Sequence, residues 1–269
     1  MRGRLYKHVR AIARANAGIY FLVRLIKFGP FMGLRNQRAR RELLAQARAD
    51  GWRVLNLGSG GRKQSAMVNL DVTPVTGPDV VGDGYHLPFR DSTFDLIMCD
   101  YVIEHVPDPE KFIAAARTAL RDGGIFYFET PFLQPMHGGD ADFTRWTRRG
   151  FIKAATRGGL NVTKSGIHLG PAFTLFWVLN EWLAIVFSFG VPALFKILNY
   201  IFRWLLSPLM IIDAMTLHLP GAERLASGFY VVASSERDRP LGRQGAEKPG
   251  HAAEAPARGP VVEGIAGAL

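Results

Sequence analysis

Between Arg53 and Pro131 short apolar runs alternate with turn-forming stretches, and this rhythm restricts the fold more than any other feature. "RVLNLG", "AMVNLDV", "DVVGD", "FDLIMCD" and "IFYFET" read as strands bounded by turn residues, in the manner of a parallel sheet. Before the last of them, Asp108 is placed to cap a helix and Pro109 suits its first turn. Phe112, Ile113, Ala116 and Leu120 then form a buried stripe, and the glycines of "RDGG" offer a left-handed stop. "LNVTKSGIHL" and "SGFYVVASS" supply a sixth and a seventh strand. The chain is thus expected to form an α/β domain around a seven-stranded, mostly parallel sheet with helices on both faces.

In such a sheet, ligands bind outside the carboxyl ends of the strands. The first strand ends in "GSGG", a turn that leaves backbone N–H groups free to approach a ligand. A P-loop needs Gly, four residues, then Gly-Lys-Ser/Thr. Here Lys63 follows Gly58 by five positions and Gln64 comes next. A dinucleotide fingerprint needs a third glycine where Lys63 stands. The crossover from Gly60 to Met67 leaves room for about one helical turn, which also argues against a dinucleotide. A looser Gly-x-Gly turn, holding the amino-acid and ribose part of S-adenosylmethionine, asks only for close backbone approach at Gly58 and Gly60. An ordinary strand-end turn is the alternative. Asp71, Asp83 and Asp100 close the next three strands. Carboxylates there repel phosphate but suit a cationic nucleoside. Asp71 can accept from a ribose diol and Asp83 from an adenine amine.

These segments, with "GDGYHLPFRDSTFDLIMCDYVIEHVPDPEKFIAAARTALRDGGIFYFETPF", resemble the class I S-adenosylmethionine-dependent methyltransferases. The likeness runs from about Arg53 to Pro131, with order, spacing and the Leu87-Pro88-Phe89 turn all in step. It implies a Rossmann-like fold and S-adenosylmethionine as cofactor. Gly58 and Gly60 would line the methionine end, Asp71 the ribose and Asp83 the adenine. Asp100 and Tyr101 would form the lip, and Ser59, Val72 and Gly84 would be further cofactor contacts. Asn56 stands where the family usually has an acid; it keeps an acceptor but no charge.

The acceptor is less legible. Asp100-Tyr101-Val102 lacks the Asn/Asp-Pro-Pro-aromatic signature of base-amine methylation, so nucleic acid is not an expected partner. "YVIEHVPDP" also resembles quinone-pathway O-methyltransferases, whose Glu-x-x-Glu-His can hold a divalent metal. Tyr101 replaces the first Glu, leaving Glu104 and His105, and two ligands do not make a site. His105 is therefore read as a hydrogen-bonded histidine near the substrate, and no metal is expected. After the fifth strand, "TPFLQPMHGGDADFTRWTRRGF" is polar, glycine-rich and aromatic, as a loop over the methyl group would be. It resembles a loop of methyltransferases associated with cell-surface sugar or lipid modification. His137 is its candidate general base, the alternative being a histidine that only shapes the lid. Asp142 and Arg145 are expected to fix the loop or bind a polar acceptor.

Charge and hydropathy complete the reading. The formal charge is +10, and residues 1–50 hold 12 Lys/Arg against Glu42 and Asp50, so the remainder is neutral. This basic amphipathic helical arm suits an anionic membrane surface or a helix pair packed on the domain. Residues 51–235 are the expected domain, and 236–269, rich in Gly, Ala and Pro, an expected disordered tail. Within the domain, residues 170–226 form an apolar helical insert before the last strand. Glu181, Lys196 and Arg203 divide it into runs shorter than the ~20 residues of a bilayer span. Interfacial helices are expected there, with a homodimer interface or extra core as the alternative. The combined expectation is O-methylation of a small-molecule, glycan, lipid or isoprenoid acceptor by a cytoplasmic protein, peripheral or monotopic on the inner face of a membrane. A non-catalytic cofactor-binding scaffold at the membrane is the second reading.

Overall fold

The computed structural model describes residues 38–61, 63–137 and 141–235. Most of the basic arm and the whole of the tail region, 236–269, lie outside these residues. Seven strands form one sheet: β1 (Val54–Leu57), β2 (Val68–Asp71), β3 (Val80–Val81), β4 (Phe94–Asp100), β5 (Leu120–Pro131), β6 (Asn161–Leu169) and β7 (Gly228–Ser234). Their order is β3-β2-β1-β4-β5-β7-β6. The first five pair in parallel, and β7 runs antiparallel between β5 and β6. This is the Rossmann-like arrangement expected of the alternating pattern.

Helices cover both faces. On one side α2 (Pro109–Ala119) and α3 (Arg148–Arg157) bring Phe112, Ile113, Phe151 and Ala155 onto Leu55, Ile97 and Phe128. Asp108 caps α2 by accepting from the Lys111 N–H at 3.2 Å, and Pro109 occupies its first turn. The helix stops at Ala119, earlier than the RDGG stop predicts. Leu120 is already extended and pairs with Phe94, and Gly123 (φ 72°) serves the bulge that follows in β5. On the other side lies α1 (Arg38–Ala49), whose Ala39 and Ala47 are buried and whose Leu43 and Leu44 pack toward Leu96, Met98 and Tyr127. Alanine lets the helix approach the sheet closely, so this piece of the basic segment is part of the domain's packing. Its Arg40 reaches inward to Asp100 at 3.2 Å.

The crossover from β1 to β2 contains turns, not a helix, among its described residues. A buried side chain takes over the work of helical hydrogen bonds. Asn69, 0% exposed in β2, accepts from the Gln64 N–H (2.8 Å) and donates to the carbonyls of Gln64 and Met67 (2.9 Å each). Asp79 accepts from both the Asn69 amide and its backbone N–H, and pairs with Lys63.

The insert is a helical hairpin of α4 (Pro171–Phe187) and α5 (Pro192–Leu206). A 3-10 segment, Ser207–Ile212, and a last turn, α6 (Asp213–Thr216), continue α5. The unbroken helical span Pro192–Thr216 is 25 residues with mean hydropathy 1.3, long and apolar enough by length and composition to cross a membrane. Its far end is nevertheless held at its origin. The buried Asp213 carboxylate accepts from the N–H groups of Gly170, Ala172 and Phe173, capping α4 from a distance in sequence. Both ends of the hairpin therefore sit at the sheet, and the turn at Ser188–Val191 is its outer tip.

Candidate active site

The strand ends converge on one edge. Gly58 adopts φ 70°, and a Cβ there would come within 2.3 Å of Val102 Cγ2, so only glycine lets the turn pass beneath the residues after β4. The N–H groups of Gly58 and Ser59 both donate to the Leu70 carbonyl at 2.9 Å, which ties the turn to β2. Gly60 (φ 48°) donates its N–H to Asp71 Oδ2 at 2.6 Å, and Thr73 donates to Oδ1 at 3.0 Å. Asp71 thus holds the turn in shape, and each oxygen keeps a second lone pair for a hydroxyl. Ser59 Oγ is buried with no hydrogen-bond partner among the described residues.

Beside this turn Val72 is 74% exposed, an apolar patch next to Asp71 that an aromatic ring can cover. Asp83 is exposed at the end of β3. The Tyr85 N–H, ahead of the nearby His86, holds its carboxyl below the usual carboxylate range. Gly84 is obligatory as well, because a Cβ there would overlap the Phe112 ring at 2.1 Å. Asn56 is buried and donates its side-chain N–H to Asn69 Oδ1 at 2.9 Å, which joins it to the crossover network. The glycine turn, the acceptors at two strand ends and the exposed valine between them fit an S-adenosyl nucleoside.

Asp100 and Tyr101 close β4. Tyr101 takes φ 59°, unusual for a residue with a side chain, and donates its N–H to the Glu129 carbonyl. Its ring is 5.7 Å from that of His168 and packs with Leu169, Phe173 and Phe176 at the root of the insert. Behind it His168 Nε2 lies 3.0 Å from Glu129 Oε2, both fully buried, and Tyr127 donates to Glu129 Oε1. Nothing in the sequence pattern marked this trio, because its partners lie 39 residues apart on different strands.

The loop after β5 folds back onto the 3-10 turn Ile103–His105. Phe143 and Thr144 donate their N–H groups to the Glu104 carbonyl at 2.9 and 3.3 Å. This stacks His137 over His105, their rings perpendicular with centroids 5.3 Å apart. Glu104 lies below them, 0% exposed, with Oε1 3.7 Å from His137 Nε2 and 3.8 Å from His105 Nε2. The neighbouring Glu104 carboxylate holds the His137 imidazole above its ordinary value, against partial burial. At that separation the effect is through-space attraction rather than a hydrogen bond. Arg145 clamps Asp142 through two hydrogen bonds and drives its carboxyl down to about 2. Asp142 also accepts from the His137 N–H, so the pair fixes the loop that presents the imidazole. Glu104, weighed in the sequence only as a metal ligand beside His105 and set aside, is the buried carboxylate on which both histidines converge.

Residues 57–128 match the family described as methyltransferase domain. Two ubiquinone biosynthesis O-methyltransferases are similar to part of the chain. That of Azotobacter vinelandii is 30% identical over 106 residues, 31% of this chain and 46% of the relative. That of Pasteurella multocida is 42% identical over 112 residues, 30% of this chain and 46% of the relative. The chain spans about half the length of these curated relatives. Among solved structures, a Haemonchus contortus phosphoethanolamine N-methyltransferase 2 in complex with S-adenosyl-L-methionine has a TM-score of 0.46. It is 13% identical, covering 74% of this chain and 53% of that one. The match to a methyltransferase domain and the similarity to methyltransferases support a class I S-adenosylmethionine-dependent methyltransferase.

Proposed function

We propose that the protein transfers a methyl group from S-adenosylmethionine to a hydroxyl of a lipid-like acceptor (a lipid, isoprenoid or lipid-linked glycan) at the cytoplasmic face of a membrane. One observation carries the acceptor class: the surface of the hairpin. Among the described residues from Pro171 to Pro220, Lys196 is the only formally charged one that is exposed. Trp182, Ile185, Phe189, Ile197, Ile201 and Leu205 are all more than half exposed. The polar side chains turn inward, with Asn199 donating to Glu181 and Arg203 donating to Asn199. Polar inside and apolar outside suits a hydrocarbon surrounding. The root of the hairpin packs on Tyr101, so an acceptor leaving such a surface arrives at the lip of the site.

The cofactor supplies an activated methyl on a sulfonium. Gly58, Gly60, Asp71 and Asp83 hold and orient it, and the described residues of the loop after β5, His137 and Phe143 among them, shield the acceptor from water. His137, oriented by Asp142 and facing Glu104, takes the proton of the attacking hydroxyl. Turnover to S-adenosylhomocysteine in the presence of total lipid extract, with labelled methyl entering the organic phase, tests this reading. Label that stays in water-soluble products overturns the acceptor class. Cofactor binding with no formation of S-adenosylhomocysteine in any extract selects the second reading, a non-catalytic membrane scaffold that binds the cofactor. That reading is favoured by one feature, the commitment of Asn56 to Asn69 where a charge would serve the cofactor's amino group.

A further inference from the structure

We propose that the apolar hairpin is a positioning element for the cofactor turn and acts through Tyr101. The root of the hairpin holds Tyr101 in a left-handed backbone conformation, and that conformation sets Val102 over Gly58. The inference rests on reading the turn at Gly58–Gly60 as the cofactor site.

Tyr101 takes φ 59°, a region that a residue with a Cβ keeps only where its surroundings over-determine it. The local sequence does not. Tyrosine is not among the residues that tolerate this region (Gly, Asn, Asp, His), and no glycine or proline lies between Asp100 and Val106. The restraint is therefore tertiary. On the sheet side Glu129 supplies it twice. Its carbonyl accepts the Tyr101 N–H at 3.1 Å, and its carboxylate pairs at 3.0 Å with His168, whose ring stands 5.7 Å from the tyrosine ring. On the other side the ring packs on Leu169 and on both legs of the hairpin. Phe173 and Phe176 come from α4, and Met210 from the 3-10 segment after α5. Phe176 and Met210 are fully buried. This cover is itself fastened, because Asp213 accepts from the Phe173 N–H at 3.1 Å.

With its ring committed to the hairpin root, Tyr101 serves the cofactor edge through the path of its backbone. The residue before it, Asp100, pairs with Arg40 at 3.2 Å. The left-handed step then turns the chain from β4 across the glycine turn. Val102 lies so close to Gly58 that any Cβ there would overlap its Cγ2. The Val102 carbonyl next accepts from the His105 N–H at 2.9 Å and starts the 3-10 turn. Relaxing Tyr101 to a right-handed or extended backbone would redirect Val102. It would thereby release the turn whose Gly58 and Ser59 N–H groups bond the Leu70 carbonyl. The hairpin thus shapes the cofactor edge without offering the cofactor a ligand.

Glycine adopts the left-handed conformation without restraint, which supplies the test. In the cofactor-free full chain, Phe176→Ala should speed amide exchange at Gly58, Ser59 and His105 at least ~5-fold, the scale of coupling between packed neighbours. Calorimetry should show affinity for S-adenosylmethionine lowered by a similar factor. Added to Tyr101→Gly, the same substitution should change both quantities by less than ~2-fold, because no restraint is left to remove. Leu175→Ala, an exposed neighbour on the same helix, should change neither. If Phe176→Ala fails to fold, Met210→Ala on the other leg decides. Equal effects with and without Tyr101→Gly, or no effect in a folded Phe176→Ala, overturn the positioning role. Exchange settles that role with or without a cofactor. A native chain that binds no S-adenosylmethionine overturns the cofactor reading instead.

Discussion

At the scale of single residues the site depends on a few positions with no freedom to change. Gly58→Ala would combine a left-handed backbone, costing about 1–2 kcal/mol, with a methyl driven into Val102. The turn should shift, and calorimetry should show cofactor affinity lowered at least ~10-fold while the denaturation midpoint falls. Asp71→Ala removes a charge-assisted acceptor, at about 1.5–3 kcal/mol, and also frees the N–H groups of Gly60 and Thr73. Its cofactor affinity should fall by at least ~1.5 kcal/mol with the sheet intact. Unchanged affinity would remove Asp71 from the site. His137→Ala should leave cofactor binding in place and lower turnover ~100-fold or more, the scale of a lost general base.

At the scale of elements, buried polar side chains join segments that the backbone alone leaves loose. The β1–β2 crossover is organised by Asn69 and Asp79. Lys63, followed by Asn69, lowers the Asp79 carboxyl from 3.8 to about 2. Because the folded value is depressed, this contribution is complete above 3.8 and is lost as pH falls toward 2. Amide exchange at Gln64–Asn69 should therefore accelerate across that acid window in the native protein. In Asp79→Asn the acid-dependent acceleration should be absent. The hairpin has a comparable fastening in Asp213, which serves three N–H groups at the start of α4. Asp213→Ala leaves buried donors unpaired at about 1–3 kcal/mol each. Exchange protection should drop in α4 and α6 while β4 and β5 keep theirs.

At the scale of the whole molecule, a Rossmann-like sheet carries its ligand edge beside an apolar hairpin. The hairpin's α4 of 17 residues is ~25 Å long, so the tip stands well clear of the sheet. If this surface meets a bilayer, Trp182→Asp with Phe189→Asp should lower partitioning onto anionic vesicles at least ~10-fold and leave cofactor affinity unchanged. A native chain that stays in solution at low salt without detergent, and sediments as a dimer, would assign the same surface to a second copy. Much of this was legible beforehand. The period of the apolar runs determined seven strands, and Asp108-Pro109 determined where α2 begins, because both are local rules of burial and capping. The spacing of Gly58, Gly60, Asp71 and Asp83 marked the cofactor edge, because strand ends collect in one place in any parallel sheet. What the sequence could not decide was which side chains meet across the fold. Asn69 replacing a crossover helix, Asp213 capping a helix about 40 residues away, and His137 descending onto Glu104 are all long-range encounters. Their energies depend on distances of a few ångströms that no local pattern encodes, and only the closing of the sheet and loop brings those atoms together.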